Sequence, residues 1–192
     1  MRITLEWLKE YIDLDADAES FCKKMLHSGF RAEPVRDFGK DIKNVVIGRV
    51  LSVSRHEDSE HLFIIQVDVG AEQPLQIVTG APNVTADAFV PVALHRSELP
   101  GGVKIKKGKL RGVASEGMLC AAAEFGFEES LVPEFHRDGI WILDGTYTVG
   151  ADFVEALGLE DTVVDLEILA DRPDCLSLAG IAMEAAAALD IK

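Results

Sequence analysis

The fold is decided by one stretch, Phe63-Ile64-Ile65-Gln66-Val67-Asp68-Val69-Gly70. From Phe63 onward every second side chain is apolar, while Gln66 and Asp68 occupy the alternate positions. Successive side chains of a strand point to opposite faces, so this alternation is typical of a half-buried strand. We therefore predict a strand that ends at Gly70.

Further short β-rich segments lie on both sides of this strand. We predict additional strands at 45–54, 75–78 and 89–94, a basic strand or hairpin at 103–112, and a last apolar strand at 139–143. The connecting loops contain proline and glycine, which interrupt strands. Gly48 lies inside the first of these strands, where glycine often marks a bend or bulge. Five or six short strands at this spacing predict a small closed barrel, most commonly the five-stranded OB-fold.

The two ends of the chain have helical patterns instead. Thr4 is expected to cap a first short helix, and Asp17 a second one that ends near Gly29, before a strand. Beyond residue 150 we predict a short helix at 153–157, a strand at 163–168 and an alanine-rich helix at 177–189. Helices that are apolar on one face need a partner surface to bury it.

The charge is distributed unevenly. The 192 residues include 33 acidic and 19 basic side chains, a net charge of −14, which argues against nucleic-acid binding because phosphate contacts need cations. However, residues 39–119 hold 9 acidic and 10 basic side chains, whereas residues 120–170 hold 12 acidic and one basic. The positive charge is thus concentrated in one part of an acidic chain.

The most basic run is Lys104-Ile105-Lys106-Lys107-Gly108-Lys109-Leu110-Arg111-Gly112. Five cations in nine positions, alternating with apolar residues, would form a cationic ridge on a barrel. Such a ridge can follow a phosphate backbone. Alternatively, the lysines only keep an exposed edge hairpin from pairing with other strands. The run by itself favours neither interpretation.

Other polar clusters do not predict chemistry. His56 and His61 are five residues apart, unlike the four-residue spacing of a helical zinc motif, and no metal site is expected there. Cys175 lies beside two aspartates but has no following histidine to act as a base, so a turn in which an aspartate or serine caps the next helix is favoured. No glycine-rich phosphate-binding loop is present in the sequence. We therefore expect no catalytic, cofactor-binding or metal site.

Compartment is indicated by the cysteines and by the apolar pattern. Cys22, Cys120 and Cys175 are widely separated, as expected of buried, reduced thiols. The N-terminus lacks the pattern of a signal peptide, and no apolar run approaches the length of a membrane span. A cytoplasmic protein without a membrane partner is the expectation.

Three blocks of the sequence together resemble a known family, the N-terminal part of the β subunit of bacterial phenylalanyl-tRNA synthetases. The first block is Met1-Arg2-Ile3 followed by 7–14. The second comprises 67–70, 76–78, 80–84, 99–102, 104–112 and 115–120, and looks like the EMAP-type tRNA-binding OB domain. The third is 172–177 followed by Gly180-Ile181-Ala182. The resemblance covers essentially the whole chain, although Glu60-His61 replaces the family's usual Asp-Lys pair and Asp171 its usual Asn.

The resemblance implies an α+β fold with a discontinuous arrangement. A five-stranded OB-fold β-barrel, residues 39–151, would be inserted into a small α+β domain formed by 1–38 and 152–192. The family's tRNA-binding role would then fall on the ridge residues Lys104, Lys106, Lys107, Lys109 and Arg111. The residues expected to shape the loops beside the ridge are Asn83, Ser115, Glu116 and Met118.

The resemblance also implies a function without catalysis. The chain would be an accessory region that supports tRNA binding by the assembled α2β2 phenylalanine–tRNA ligase, with the α subunit and the remaining β-subunit domains as partners. ATP and Mg²⁺ would be needed only by the complete enzyme. One alternative is a structural segment that organises domains and subunits without touching RNA. Another is a free-standing tRNA-binding chaperone, which would have no need for the block at 172–177.

Overall fold

The computed structural model describes residues 1–37, 39–128, 130, 132 and 139–191. Its elements in chain order are β1 (Arg2–Thr4), α1 (Leu5–Lys9), α2 (Ala18–His27), β2 (Ala32–Asp37), β3 (Lys43–Arg55), β4 (Phe63–Asp68), β5 (Leu75–Thr79), β6 (Phe89–Leu99), β7 (Val103–Lys104), β8 (Gly108–Leu110), β9 (Val113–Ser115), β10 (Met118–Leu119), α3 (Phe153–Ala156), β11 (Thr162–Leu166) and α4 (Leu178–Leu189). Short 3₁₀ turns lie at Pro100–Gly102, Ala122–Phe125 and Pro173–Leu176.

The chain divides into two compact units. The first combines Met1–Gly39 with Glu160–Lys192, and the second is Lys40–Leu159. By this division α3 belongs to the second unit, where Phe153 and Val154 are part of a buried apolar cluster. The division at 38/39 and 151/152 inferred from the sequence stays a prediction.

The first unit packs helices against a three-stranded antiparallel sheet in the order β1-β11-β2. Its buried core includes Ile3 of β1, Phe21 and Met25 of α2, Val164 of β11 and Ile181 of α4. Removing these apolar side chains from water is what holds the segments from the two ends of the chain together.

The predicted helix caps of the first unit are confirmed. The Thr4 hydroxyl accepts a hydrogen bond from the Trp7 N–H (3.2 Å), and the Asp17 carboxylate accepts one from the Ser20 N–H (2.7 Å). Ser177 caps α4 in the same way. Gly29 follows α2 at a φ of +91°, a left-handed conformation that glycine adopts without steric cost. β1 was not predicted, because three residues are too few to show an alternating pattern.

The second unit is built on a curled antiparallel sheet in the order β10-β6-β3-β4-β5, with β7 also paired to β6. The free edge of β5 meets the end of β9 and the residue after it: the Glu116 N–H donates to the Gln76 carbonyl (2.9 Å), and the Val78 N–H donates to the Ser115 hydroxyl (3.1 Å). These bonds bring the two ends of the sheet together, as in a small barrel. The predicted fold class, an α+β chain with an OB-like curled sheet, is confirmed; β7 brings the number of strands in the sheet to six, against the five predicted.

Two details of the predicted strands are wrong. Residues 139–143 form no strand, since their backbone bonds go to two different partners: the Trp141 N–H donates to Cys120 and the Leu143 N–H to Phe89. The irregularities of β3 lie on either side of Gly48 rather than at it. Gly48 instead allows close packing, because a Cβ there would lie 2.5 Å from Val92 Cγ2.

Candidate nucleic-acid interface

The basic run extends from the end of β7 through a short connection and β8 to the turn of the β8–β9 hairpin, which confirms the predicted strand or hairpin. Leu110 pairs with Val113, so the hairpin turns over only two residues, Arg111 and Gly112. Their φ values are +43° and +85°. Positive φ at both positions is the signature of the type I′ turn, whose twist suits a tight hairpin. Arg111 is therefore at the tip.

The start of the basic run is held by an irregular part of β6. One residue of β3, Asn44, faces the four residues 94–97, because the β3–β6 register passes directly from Lys43↔Glu98 to Val45↔Ala93. In this bulge the Arg96 N–H donates to the Ile105 carbonyl (2.8 Å) and the Ile105 N–H donates to the Ser97 carbonyl (3.1 Å).

A buried histidine holds the tip. His56, only 4% exposed, accepts a hydrogen bond from the Asp58 N–H at Nδ1 (3.0 Å). A neutral imidazole has one acceptor and one donor nitrogen, so this bond assigns the proton to Nε2. Nε2 then donates to the Leu110 carbonyl (3.3 Å). Nδ1 of His56 thus holds its own loop while Nε2 holds the hairpin beside its tip, a role that the sequence did not indicate.

The second strand of the hairpin is held against β5. Ser115 is 5% exposed, and its hydroxyl accepts from the Val78 N–H while donating to the Gly117 carbonyl (3.1 Å). The Gln76 side chain donates to the Ala114 carbonyl (2.9 Å). With the bonds at its start and tip, the basic run is fixed to the sheet along its length.

The cations of the run fall into two groups. Lys104 forms an ion pair with Glu98 (2.8 Å), which also contacts Lys43 (3.3 Å), and Lys107 pairs with Glu116 (2.8 Å). Hydrogen bonds from the lysines lower the pKa of both glutamates below its ordinary value, so these carboxylates are charged at neutral pH.

The second group consists of Lys106, Lys109 and Arg111. All three side chains are exposed, and within the described part of the chain none of them has an ion-pair partner within 4.0 Å. Their charge is consequently available to a ligand without breaking a contact inside the protein.

The loop residues suggested by the resemblance have structural contacts. The Asn83 amide donates to the Ile140 carbonyl (2.8 Å), and its oxygen accepts from the Ile140 N–H (3.0 Å). Met118 is half-buried and pairs with Ala93 of β6, Ser115 is buried, and Glu116 is the counterion of Lys107. These four residues therefore support the hairpin and the neighbouring loop, and direct RNA contact by them stays a prediction.

The described residues contain one cluster of three possible metal-binding side chains, Asp174, Cys175 and Glu184 of the first unit. The guanidinium of Arg172 contacts all three, at 2.7 Å from Asp174 and 3.2 Å from the Cys175 sulfur. The ion pair lowers the pKa of Asp174 to about 2, and burial raises the pKa of Cys175 to about 11. Cys175 is therefore protonated at neutral pH, and the cation of the cluster is an arginine of the chain itself.

No helix among the described residues is both long enough and apolar enough to cross a membrane.

Comparison with known proteins identifies the family. Residues 45–148, which include the whole basic run, match the family model described as "Putative tRNA binding domain". The chain belongs to this tRNA-binding domain family. The match begins in β3 and ends before α3, so it coincides with the curled sheet and the hairpin attached to it.

Three relatives that match nearly the whole chain share one name. The phenylalanine–tRNA ligase beta subunits of Clostridium acetobutylicum and Staphylococcus aureus are 48% and 41% identical to it over all 192 residues, which amount to 24% of each relative. That of Latilactobacillus sakei is 44% identical over 187 residues, 97% of this chain and 23% of the relative. The resemblance to the β-subunit family is confirmed. The chain spans about a quarter of the length of these relatives.

Proposed function

We propose that this chain binds tRNA through the free cations of the basic run, as a non-catalytic accessory region of a phenylalanine–tRNA ligase β subunit. The observation that carries the proposal is the group formed by Lys106, Lys109 and Arg111. These residues are exposed, lack ion-pair partners among the described residues, and lie on a run fixed to the sheet at both ends. Because the backbone of the run is already fixed, phosphate binding needs to order only the side chains of these cations.

The ion-paired lysines contribute less in this proposal. To contact a phosphate, Lys107 must leave Glu116, and Lys104 must leave Glu98. The two glutamates also repel phosphate. The net attraction of the surface therefore depends on the free cations first.

The wider setting follows from the relatives' names. The chain would act with the α subunit and the rest of the β subunit in an assembled ligase, in which ATP and Mg²⁺ serve the complete enzyme, and it would bind no cofactor itself. A cytoplasmic location is supported by the three free, buried cysteines, which suit a reducing compartment.

A second candidate function is a structural segment that organises the ligase without touching RNA. It is favoured by the net charge of −14 and by the neutralisation of Lys104 and Lys107 by glutamates. The two functions make opposite predictions for RNA binding by the chain.

The decisive experiment measures tRNA affinity over a series of salt concentrations, with an unrelated RNA as competitor. The test variant is Lys109→Gln with Arg111→Gln. The matched control is Lys23→Gln with Lys24→Gln on α2, which removes the same charge from exposed lysines of the other unit. If both hairpin cations contact phosphates, the test variant should lose about 1.4–1.8 units of the slope of log affinity against log salt.

Three results would be informative. Loss of slope in the test variant alone supports RNA binding by the hairpin. Equal losses in both double variants would show that only the overall charge matters. No binding by the unmodified chain at low salt would instead favour the structural segment.

A further inference from the structure

We infer that Arg96, which lies outside the basic run and outside the residues that the sequence indicated, is an additional phosphate contact of the same surface. This inference rests on the proposed function of the hairpin. It starts from the backbone of Arg96, which has a φ of +69°. For a residue other than glycine, this left-handed conformation is sterically unfavourable.

The bulge itself explains why the chain turns at this point, but not why the residue is an arginine. The contact that Arg96 makes with the basic run, its N–H to the Ile105 carbonyl, uses only the backbone. A glycine would make the same bond without the steric cost. Asn44, which lies opposite, is also left-handed at +58°, and it illustrates the small polar residue usually found in this conformation.

The side chain of Arg96 has no polar partner among the described residues. It is exposed, and within the described residues no ion pair or side-chain hydrogen bond of its guanidinium is found. Residues with strained backbones are concentrated at functional sites. Hence the identity of this residue is better explained by a ligand than by folding.

The position of Arg96 makes that ligand an anion shared with the basic run. Its hydrogen-bond partner Ile105 lies between Lys104 and Lys106, so the backbone of Arg96 is next to the basic run. A guanidinium presents a planar set of donors that matches the oxygens of a phosphodiester. Arg96 thereby extends the cationic surface from the hairpin onto the bulge of β6.

The test compares Arg96→Gly with Arg96→Lys, using unfractionated tRNA as the probe in a salt series. The glycine variant removes the charge and the strain together, so its thermal midpoint should be unchanged or higher while its affinity falls. One lost phosphate contact corresponds to a slope smaller by about 0.7–0.9, and to about tenfold weaker binding at 50 mM salt. The lysine variant keeps the charge and should retain the salt slope.

The outcomes separate this inference from the function on which it rests. A more stable or equally stable glycine variant that binds tRNA less well, with the lysine variant near the unmodified chain, supports it. If the glycine variant binds like the unmodified chain, and the double variant at Lys109 and Arg111 does not, the role of Arg96 is refuted and the hairpin function survives. Absence of binding by the unmodified chain overturns both.

Discussion

Replacing Glu116 by glutamine tests the division of the cations into paired and free groups. The substitution keeps the shape of the side chain, removes its charge, and leaves Lys107 without its counterion. The Glu116 N–H, which donates to Gln76, is unaffected. We expect tighter tRNA binding, because Lys107 can then contact phosphate without first leaving a carboxylate.

The size of the gain follows from the exposure of the pair. Lys107 and Glu116 lie 2.8 Å apart with 52% and 35% of their side chains exposed, so water screens their attraction. Pairs of this kind contribute about 0.2–1 kcal/mol, which corresponds to about 1.4- to 5-fold in affinity. The slope of log affinity against log salt should become steeper by up to about 0.9 if Lys107 gains a phosphate contact.

The assay is the titration of labelled tRNA at several salt concentrations, with Asp87→Asn as the control. Asp87 pairs with Arg49, also at 2.8 Å. It lies just before Phe89, the first residue of β6, whereas the bulge is near the other end of that strand. The control therefore removes one negative charge and frees one cation away from the hairpin. Weaker binding of the Glu116→Gln variant would refute the counterion role. An equal gain in tRNA affinity for the control would show that only the net charge matters.

Two further predictions concern the residues that hold each unit together. His56→Asn keeps an acceptor for the Asp58 N–H but loses the donor to Leu110, whereas His56→Gln keeps that donor. Each substitution should lower the free energy of unfolding in urea by about 1–3 kcal/mol. The asparagine variant should bind tRNA more weakly than the glutamine variant. Equal affinities of the two variants would contradict a role for the His56–Leu110 bond in positioning the tip. In the first unit, Asp174 has its pKa lowered to about 2 by Arg172, so its contribution to stability is present above the unfolded pKa of about 3.9 and is lost as pH falls towards 2. Unfolding midpoints between pH 5 and about 2 should therefore fall more steeply for the unmodified chain than for Asp174→Asn, and parallel curves would contradict this linkage.

Local sequence patterns were sufficient for the elements that carry their own signal. The alternation from Phe63 to Val69 predicts β4 because it reflects burial on one face: Ile65 and Val67 are fully buried. Thr4 and Asp17 are cap residues whose bonds go to atoms three positions away, so they too can be read locally.

What the sequence could not show depends on contacts between distant segments. β1 is a strand only because Ile3 pairs with Val164, far along the chain. The distinction between paired and free lysines depends on Glu98 and on Glu116, which the fold brings to them. Arg96 could not be recognised for the same reason. Its contact with Ile105 depends on a bulge in the β3–β6 register and not on any local motif.

The sheet order β1-β11-β2 has a consequence for synthesis. The ribosome releases β1 and β2 first, yet β11, the strand that lies between them, emerges about 125 residues after the end of β2. All strands of the second unit are synthesised in this interval, so the second unit has its complete set of strand partners. At that stage the first unit lacks β11, and the apolar faces of α1 and α2 are uncovered. The segment from Thr162 onward thus completes the core of the first unit, and a ribosome stalled before Thr162 leaves β1, α1 and α2 without the apolar residues of β11 and α4.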